Sequence, residues 1–242
     1  MKIKKKHLPS LLKIAVLQPI AYFTCETFGI QMTTASESGS IIACIPIASL
    51  VASILFLQKK PTRFQTSGIC LTVVGVIVCV TAKGFESSFS GIGYIMLCMA
   101  VLSYSLYCVS AEKAYKTTSI EKTYVMIACG ACFFATMAIA RSIAAGTVVD
   151  LFMLPFQNTV FLFSILYLGI ASSVLSFVLF NISISSIGTN KASSFVGIST
   201  AVSVLAGVFI LDEKFSAMQC YGTLIILLGV YIANMKSRFF WR

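Results

Sequence analysis

Long apolar runs separated by short polar breaks dominate the chain. Eight runs are long enough to cross roughly 30 Å of hydrocarbon as helices. They span 10–32, 38–57, 65–82, 90–111, 121–141, 159–183, 192–211 and 217–236. The runs are too long for barrel strands and show no polar–apolar alternation, so only helices can satisfy their backbone groups in lipid. Typical of the breaks is Gln58-Lys59-Lys60-Pro61-Thr62-Arg63. The longest connection, 142–158, carries Val148-Val149-Asp150-Leu151-Phe152-Met153, an amphipathic stretch predicted to lie at the membrane interface. Pro19 and Pro46 fall inside predicted helices, where a missing N–H frees carbonyls and favours kinks. The pattern predicts an all-α membrane protein with about eight transmembrane helices.

The runs are related to one another. At a constant offset of 154, residues 35–77 align without a gap to 189–231, with Ser40/Ser194, Ser49/Ser203, Ala52/Ala206, Leu57/Leu211, Lys60/Lys214, Gln65/Gln219, Gly68/Gly222 and Gly75/Gly229 identical. Upstream the match continues through Phe23/Phe177 and Ile30/Ile184. Thr62-x-x-Gln65 and Ser216-x-x-Gln219 both read as capping boxes. The paired glycines recur seven apart on one face, where small residues let helix backbones approach. Equivalent helices lie five crossings apart, an odd number, so the copies run in opposite senses. Inverted repeats of this kind are the architecture of secondary transporters. The expected organisation is a partial first unit of three helices, 1–83, and a second unit of five, 89–236. The partners of helices 90–111 and 121–141 would lie upstream of Met1, so the expectation is an incomplete five-plus-five inverted repeat lacking two opening helices.

Composition agrees with a membrane assignment. Of 242 residues 58% are hydrophobic and 11% charged, against roughly a quarter charged in soluble domains, and mean hydropathy is +0.94. The net charge of +10 suggests a nucleic-acid binder only until the cations are located. They sit in short interhelical segments rather than on one face, so no nucleic acid is expected, and they read as topology signals and contacts to anionic headgroups. With the N-terminus in the cytoplasm, fifteen Lys and Arg fall on that side and only Lys83, Arg141 and Lys214 on the other. The positive-inside rule therefore places both termini in the cytoplasm and Asp212-Glu213-Lys214 outside. The basic start followed by an apolar run imitates a signal peptide, but that run has an internal counterpart and reads as a retained helix. All nine Cys fall in apolar runs and read as buried thiols. Cys129 and Cys132 share a helix face as a CxxC, yet no His or acid joins them as redox or metal partner. With one His, His7, and no spread of catalytic groups, the reading is not an enzyme, with no catalytic residues, metal or cofactor.

Several stretches resemble the ten-helix EamA-type permeases of the drug/metabolite transporter superfamily. They are Thr33-Thr34-Ala35-Ser36-Glu37-Ser38-Gly39 running into Ile45-Pro46, then Leu57 through Gly68 to Gly75. In the second half they are Tyr167-Leu168-Gly169-Ile170-Ala171-Ser172-Ser173, then Leu211-Asp212-Glu213, Gly222 and Gly229. The resemblance covers nearly the whole chain, as family helices three to ten. It departs where Gln58-Lys59 replaces a Gly-Glu pair and where Thr200 stands opposite Pro46. It implies an inner-membrane secondary carrier, an exporter of small metabolites such as amino acids or related solutes. The rival reading is a non-transporting remnant or a membrane partner subunit. Expected partners are a small-molecule substrate and the lipid bilayer, with protons and a second copy of the chain also admitted.

Glu26 is the one acid placed within the hydrophobic thickness, and an ionisable residue at such depth is a functional candidate by default. It reads either as a proton- or amine-binding site in a carrier cavity or as a protonated structural carboxyl that donates to Tyr22 or to a carbonyl loosened by Pro19. Tyr22, one turn away, shares its face. Asn181 and the run Ser172, Ser173 and Ser176 lie on the counterpart helix and are expected to face Glu26. Ser103, Tyr104 and Tyr107 form a polar face on helix 90–111. Lys60, Gln65, Lys214 and Gln219 read as interfacial anchors and caps. The candidate substrate- or proton-binding set is Glu26, Tyr22, Asn181, Ser173, Ser176 and Tyr104.

Overall fold

The computed structural model describes residues 7–81, 90–198, 201–202 and 217–234, without the side chains of 35, 36, 40 and 80. Helices account for the regular structure throughout these residues, and no strand occurs among them. In chain order they are α1 (Leu8–Gln31), α2 (Ala35–Ile42), α3 (Ile45–Leu57), α4 (Arg63–Thr81), α5 (Gly91–Lys113), α6 (Ser119–Ala145), α7 (Val148–Gln157), α8 (Thr159–Ile187), α9 (Thr189–Ser194) and α10 (Ala217–Asn234). Five of them, α1, α5, α6, α8 and α10, are long and apolar enough to cross a membrane by themselves, and α3 and most of α4 are shorter apolar helices. The chain is a multi-pass, all-α membrane protein. The predicted run 192–211 is described only in its first part, and Lys83, Glu86, Thr200, the segment Asp212-Glu213-Lys214 and Ser216 lie outside the described residues.

Two predicted spans are less regular than the apolar pattern implied. Run 38–57 is two helices, α2 and α3, meeting at Ala43–Cys44. Pro46 sits in the first turn of α3, where its missing N–H is no loss, so it starts a helix rather than kinking one. α1 is interrupted at Gln18, which takes extended angles of φ −143° and ψ 116°. A residue before proline is driven out of the helical region by the ring of the next residue. Around it, Val16–Ala21 winds in the wider π form. A second π stretch, Tyr167–Leu175, lies within α8.

The connections obey local rules. Thr62 and Gln65 form the predicted reciprocal cap, with backbone-to-side-chain bonds of 3.1 and 3.2 Å. Two further capping boxes, Thr34 with Glu37 and Thr118 with Glu121, open α2 and α6. α6 ends on left-handed Gly146, and Asn158 caps α8 by accepting from the Phe161 N–H. Gln219 does not stand as an exposed interfacial anchor. It is 5% exposed, because the first turn of α10 packs on α4, where the Cys79 thiol donates to the Gln219 carbonyl.

The α4–α10 crossing is antiparallel and built on glycine. A Cβ added to Gly68 would stand 2.6 Å from the Gly229 carbonyl oxygen, and one on Gly229 2.8 Å from that of Gly68. Gly75 and Gly222 stand in the same relation, at 2.8 and 2.9 Å. Under the offset of 154, the contact of Gly68 with Gly229 maps onto that of Gly222 with Gly75. The core of the other half gathers Leu11, Ile14, Tyr107, Met126 and Ile184 from α1, α5, α6 and α8.

Candidate functional site

The break in α1 sets up the site. Its missing helical bonds leave the Leu17 carbonyl with a five-residue bond from the Tyr22 N–H, and Ser103 of α5 donates a second at 2.9 Å. The break also turns the Gln18 side chain inward. Gln18 is 2% exposed, yet its Oε1 has no hydrogen-bond partner among the described residues. A buried amide oxygen left so is costly, and such groups call for a particular explanation.

One turn on, Tyr22 is buried and its hydroxyl donates to Glu26 Oε1 at 2.6 Å. Of the two roles read for Glu26, the bond to Tyr22 is present but runs the other way, with the phenol as donor and the carboxyl as acceptor. Glu26 is half-buried. The Tyr22 ring meets that of Tyr104 edge-on at 5.2 Å. Tyr104 in turn packs on Tyr107 at 5.6 Å and Phe180 at 5.8 Å. The aromatic chain thus links the carboxyl to a cavity of about 260 Å³ walled by Gln18, Tyr104, Tyr107, Ser176, Phe177 and Phe180. Phe23 stacks on Phe177, its counterpart at the offset of 154, with centroids 6.3 Å apart.

The six candidates therefore separate. Tyr22, Glu26 and Tyr104 come together, and Ser176 lines the same cavity as Tyr104. Asn181 is elsewhere. It is wholly buried, accepts from the Tyr107 hydroxyl at 3.1 Å and donates to Thr123 at 3.1 Å and to the Met126 sulfur at 3.5 Å. It ties α5, α6 and α8 together and is fully engaged without Glu26. Ser173 donates to the Leu168 carbonyl, five residues back in the π stretch, and lines a separate apolar cleft with Pro19, Phe23 and Gly130. Gln18 belongs to the site and was not among the six. Its signal was a long polar side chain next to Pro19 inside an apolar run.

A second polar cluster occupies the end of the bundle that carries 59–63. Lys59 forms an ion pair with Glu112, whose other oxygen accepts the Thr189 N–H at 2.8 Å. The Thr189 hydroxyl donates to the Cys108 carbonyl at 3.0 Å. Gly188, at φ +81°, makes the turn from α8 to α9 that delivers Thr189 there. Lys122 is 1% exposed and donates to the Ala111 carbonyl at 2.7 Å and to Ser185 at 3.3 Å. It is not a headgroup contact. A cation at the last carbonyls of α5 complements the negative end of that helix, which makes it an internal clamp. These groups border a polar cavity of about 530 Å³ lined by Lys59, Glu112, Ser119 and Ser185 among others.

Comparison with known proteins gives these features a context. The model of the EamA-like transporter family matches residues 1–81 and 91–235. The uncharacterized transporter YcxC of Bacillus subtilis (strain 168) is 33% identical over 236 residues, 97% of this chain and 75% of the relative. An uncharacterized transporter of Archaeoglobus fulgidus is 23% identical over 236 residues, 97% of this chain and 80% of that one. A solved crystal structure superposes with a TM-score of 0.75 at 14% identity, covering 97% of this chain and 79% of its own, a likeness of fold alone.

Proposed function

Because the chain belongs to the EamA-like transporter family, we propose that it is a secondary carrier that moves small metabolites, amino acids or related solutes, out of the cell across the inner membrane. The observation that carries this reading is the interrupted helix α1, which presents Gln18, Tyr22 and Glu26 beside an aromatic-lined cavity between transmembrane helices. Broken helices with polar groups at membrane depth are how secondary transporters build sites near the midplane. A half-buried carboxyl there, hydrogen-bonded on one oxygen by a phenol, is suited to exchanging a proton against a solute.

The contacts between the halves favour an inverted-repeat mechanism. A residue that touches its own counterpart lies on the axis relating two copies, as Phe23 and Phe177 do. Swapped pairs straddle that axis, as Gly68 with Gly229 and Gly75 with Gly222 do. A two-fold exchanging antiparallel helices lies across them, which for spanning helices means in the membrane plane. Alternating access is then rocking of one unit against the other about the cavity. The Lys59–Glu112–Thr189 clamp would close the cytoplasmic side, with both termini on that side.

Counterflow tests the carrier directly. Proteoliposomes preloaded with an unlabelled solute should transiently accumulate the labelled form above equilibrium, because a carrier exchanges bound solute faster than it leaks. Insertion without exchange for any member of a broad amine and amino-acid panel would instead support a partner subunit that transports nothing itself.

A further inference from the structure

The cavity beside Gln18 is specific about charge. Among the described residues no Lys, Arg or His lines it. Its walls are the rings of Tyr104, Tyr107, Phe177, Phe180 and Phe195, the Val196 side chain, the Ser176 hydroxyl and the Gln18 amide. Aromatic faces carry negative potential, which attracts ammonium groups and repels carboxylates. Tyr107 has committed its hydroxyl to Asn181, so it offers the cavity a ring and not a donor. Gln18 Oε1 is one of four buried side-chain polar atoms without a partner among the described residues, with those of Thr24, Ser53 and Asn190. It is the one whose residue lines this cavity, an acceptor that a ligand N–H would satisfy. Glu26 connects to this wall through Tyr22, whose hydroxyl donates to it and whose ring meets that of Tyr104. At about 260 Å³ the space is below the roughly 300–1,000 Å³ of sites for drug-sized ligands, so the ligand is small.

From these features we infer that the cavity binds a small protonated organic amine with an apolar body, its N–H donating to Gln18 Oε1 and its charge resting on the faces of Tyr104 and Phe180. This rests on the carrier reading given above and narrows its substrate. The ammonium is what is recognised, and a carboxylate on the same solute is a penalty, because the walls hold no cation to receive it. Amines lacking a carboxylate should therefore bind better than the corresponding amino acids.

The test is calorimetric titration of the purified full-length protein in lipid nanodiscs with three matched probes: phenethylamine, phenylalanine and 3-phenylpropionate. Phenethylamine is expected to bind at least tenfold more tightly than the other two. Gln18→Leu should weaken it about tenfold or more. That variant should also unfold at a temperature no lower than the parent's, since it removes a buried group that lacks a partner. Ser176→Lys, at an exposed position on the cavity wall, should abolish amine binding and admit 3-phenylpropionate. Equal affinities for the amine and the carboxylate, or an amine affinity unchanged in both variants, would overturn the inference. The carrier reading fails separately. Amine binding without flux of any solute would end the carrier and keep this site, whereas flux of other solutes without amine binding would do the reverse.

Discussion

Alanine at Gly68 is the sharpest test of how the two halves meet. Its Cβ would stand 2.3 Å from the Ala233 nitrogen and 2.6 Å from the Gly229 oxygen, where ordinary contact begins near 3.4 Å. Both obstacles are backbone atoms of α10, so no rotamer change relieves them and the helices must separate by about 1 Å. Overpacking of this kind costs about 1–3 kcal/mol, and separation also loosens the reciprocal Gly75–Gly222 contact. Gly169 supplies the opposite case, because a Cβ there meets nothing within 4 Å and alanine gains up to about 1 kcal/mol of helix propensity. The same chemical change should therefore destabilise at Gly68 and leave stability unchanged or raised at Gly169. Reversible unfolding in mixed detergent–SDS micelles, followed by far-ultraviolet circular dichroism, measures both. Gly229→Ala should behave like Gly68→Ala, and the double variant should cost less than the two singles together, since one separation relieves both clashes. If Gly68→Ala is as harmless as Gly169→Ala, the glycine crossing does not hold α4 to α10.

Three further outcomes follow from other contacts. Lys122→Ala removes a buried donor from the Ala111 carbonyl and Ser185 and should cost about 1–3 kcal/mol in the same unfolding assay; an exposed headgroup lysine would cost nothing measurable. In a background retaining only Cys108, which is fully buried, Glu112→Ala should speed its labelling by a membrane-permeant maleimide several-fold, because Thr189 loses the partner that seats it over the Cys108 carbonyl. An unchanged rate would mean that the clamp closes nothing. Single cysteines placed in 59–63 and in 212–216 should react with impermeant reagents from opposite sides of the membrane, and labelling from one side would refute the inverted topology.

How much of this was legible in the sequence depended on how local the cause was. Apolar runs report helices directly, and the Thr62–Gln65 cap is a four-residue event, so both could be read without a fold. Pro46 and Pro19 could be read as irregularities but not as kinds of irregularity. One falls at a helix start and the other breaks a span, which depends on where the neighbouring turns begin. The glycine spacing pointed to a close helix approach, whereas the partner of each glycine is a tertiary fact. The site was legible only in its polar inventory. Tyr22 and Glu26 sit one turn apart and find each other locally, while Asn181 is claimed by Tyr107 and Thr123, 74 and 58 residues away. Gln18 was passed over because it read as one polar residue within the predicted span 10–32, and its burial comes from α5 and α6 packing against the break. Lys122 counted as one more cytoplasmic cation, since charge counting cannot tell a headgroup contact from a buried clamp.

The central claim, that this chain couples solute movement to the carboxyl at Glu26, is tested most directly by flux under an imposed pH gradient. Proteoliposomes containing the parent protein or Glu26→Gln would be equilibrated with the same concentration of labelled amine inside and out and then given a pH gradient. Glutamine preserves the size of the side chain and can still accept from the Tyr22 hydroxyl, but it cannot exchange a proton. The account predicts that the parent moves solute against its gradient when protons run the other way. The variant, inserted to the same level, should show no movement beyond passive equilibration. Parent-like rates and parent-like pH dependence in Glu26→Gln would contradict it.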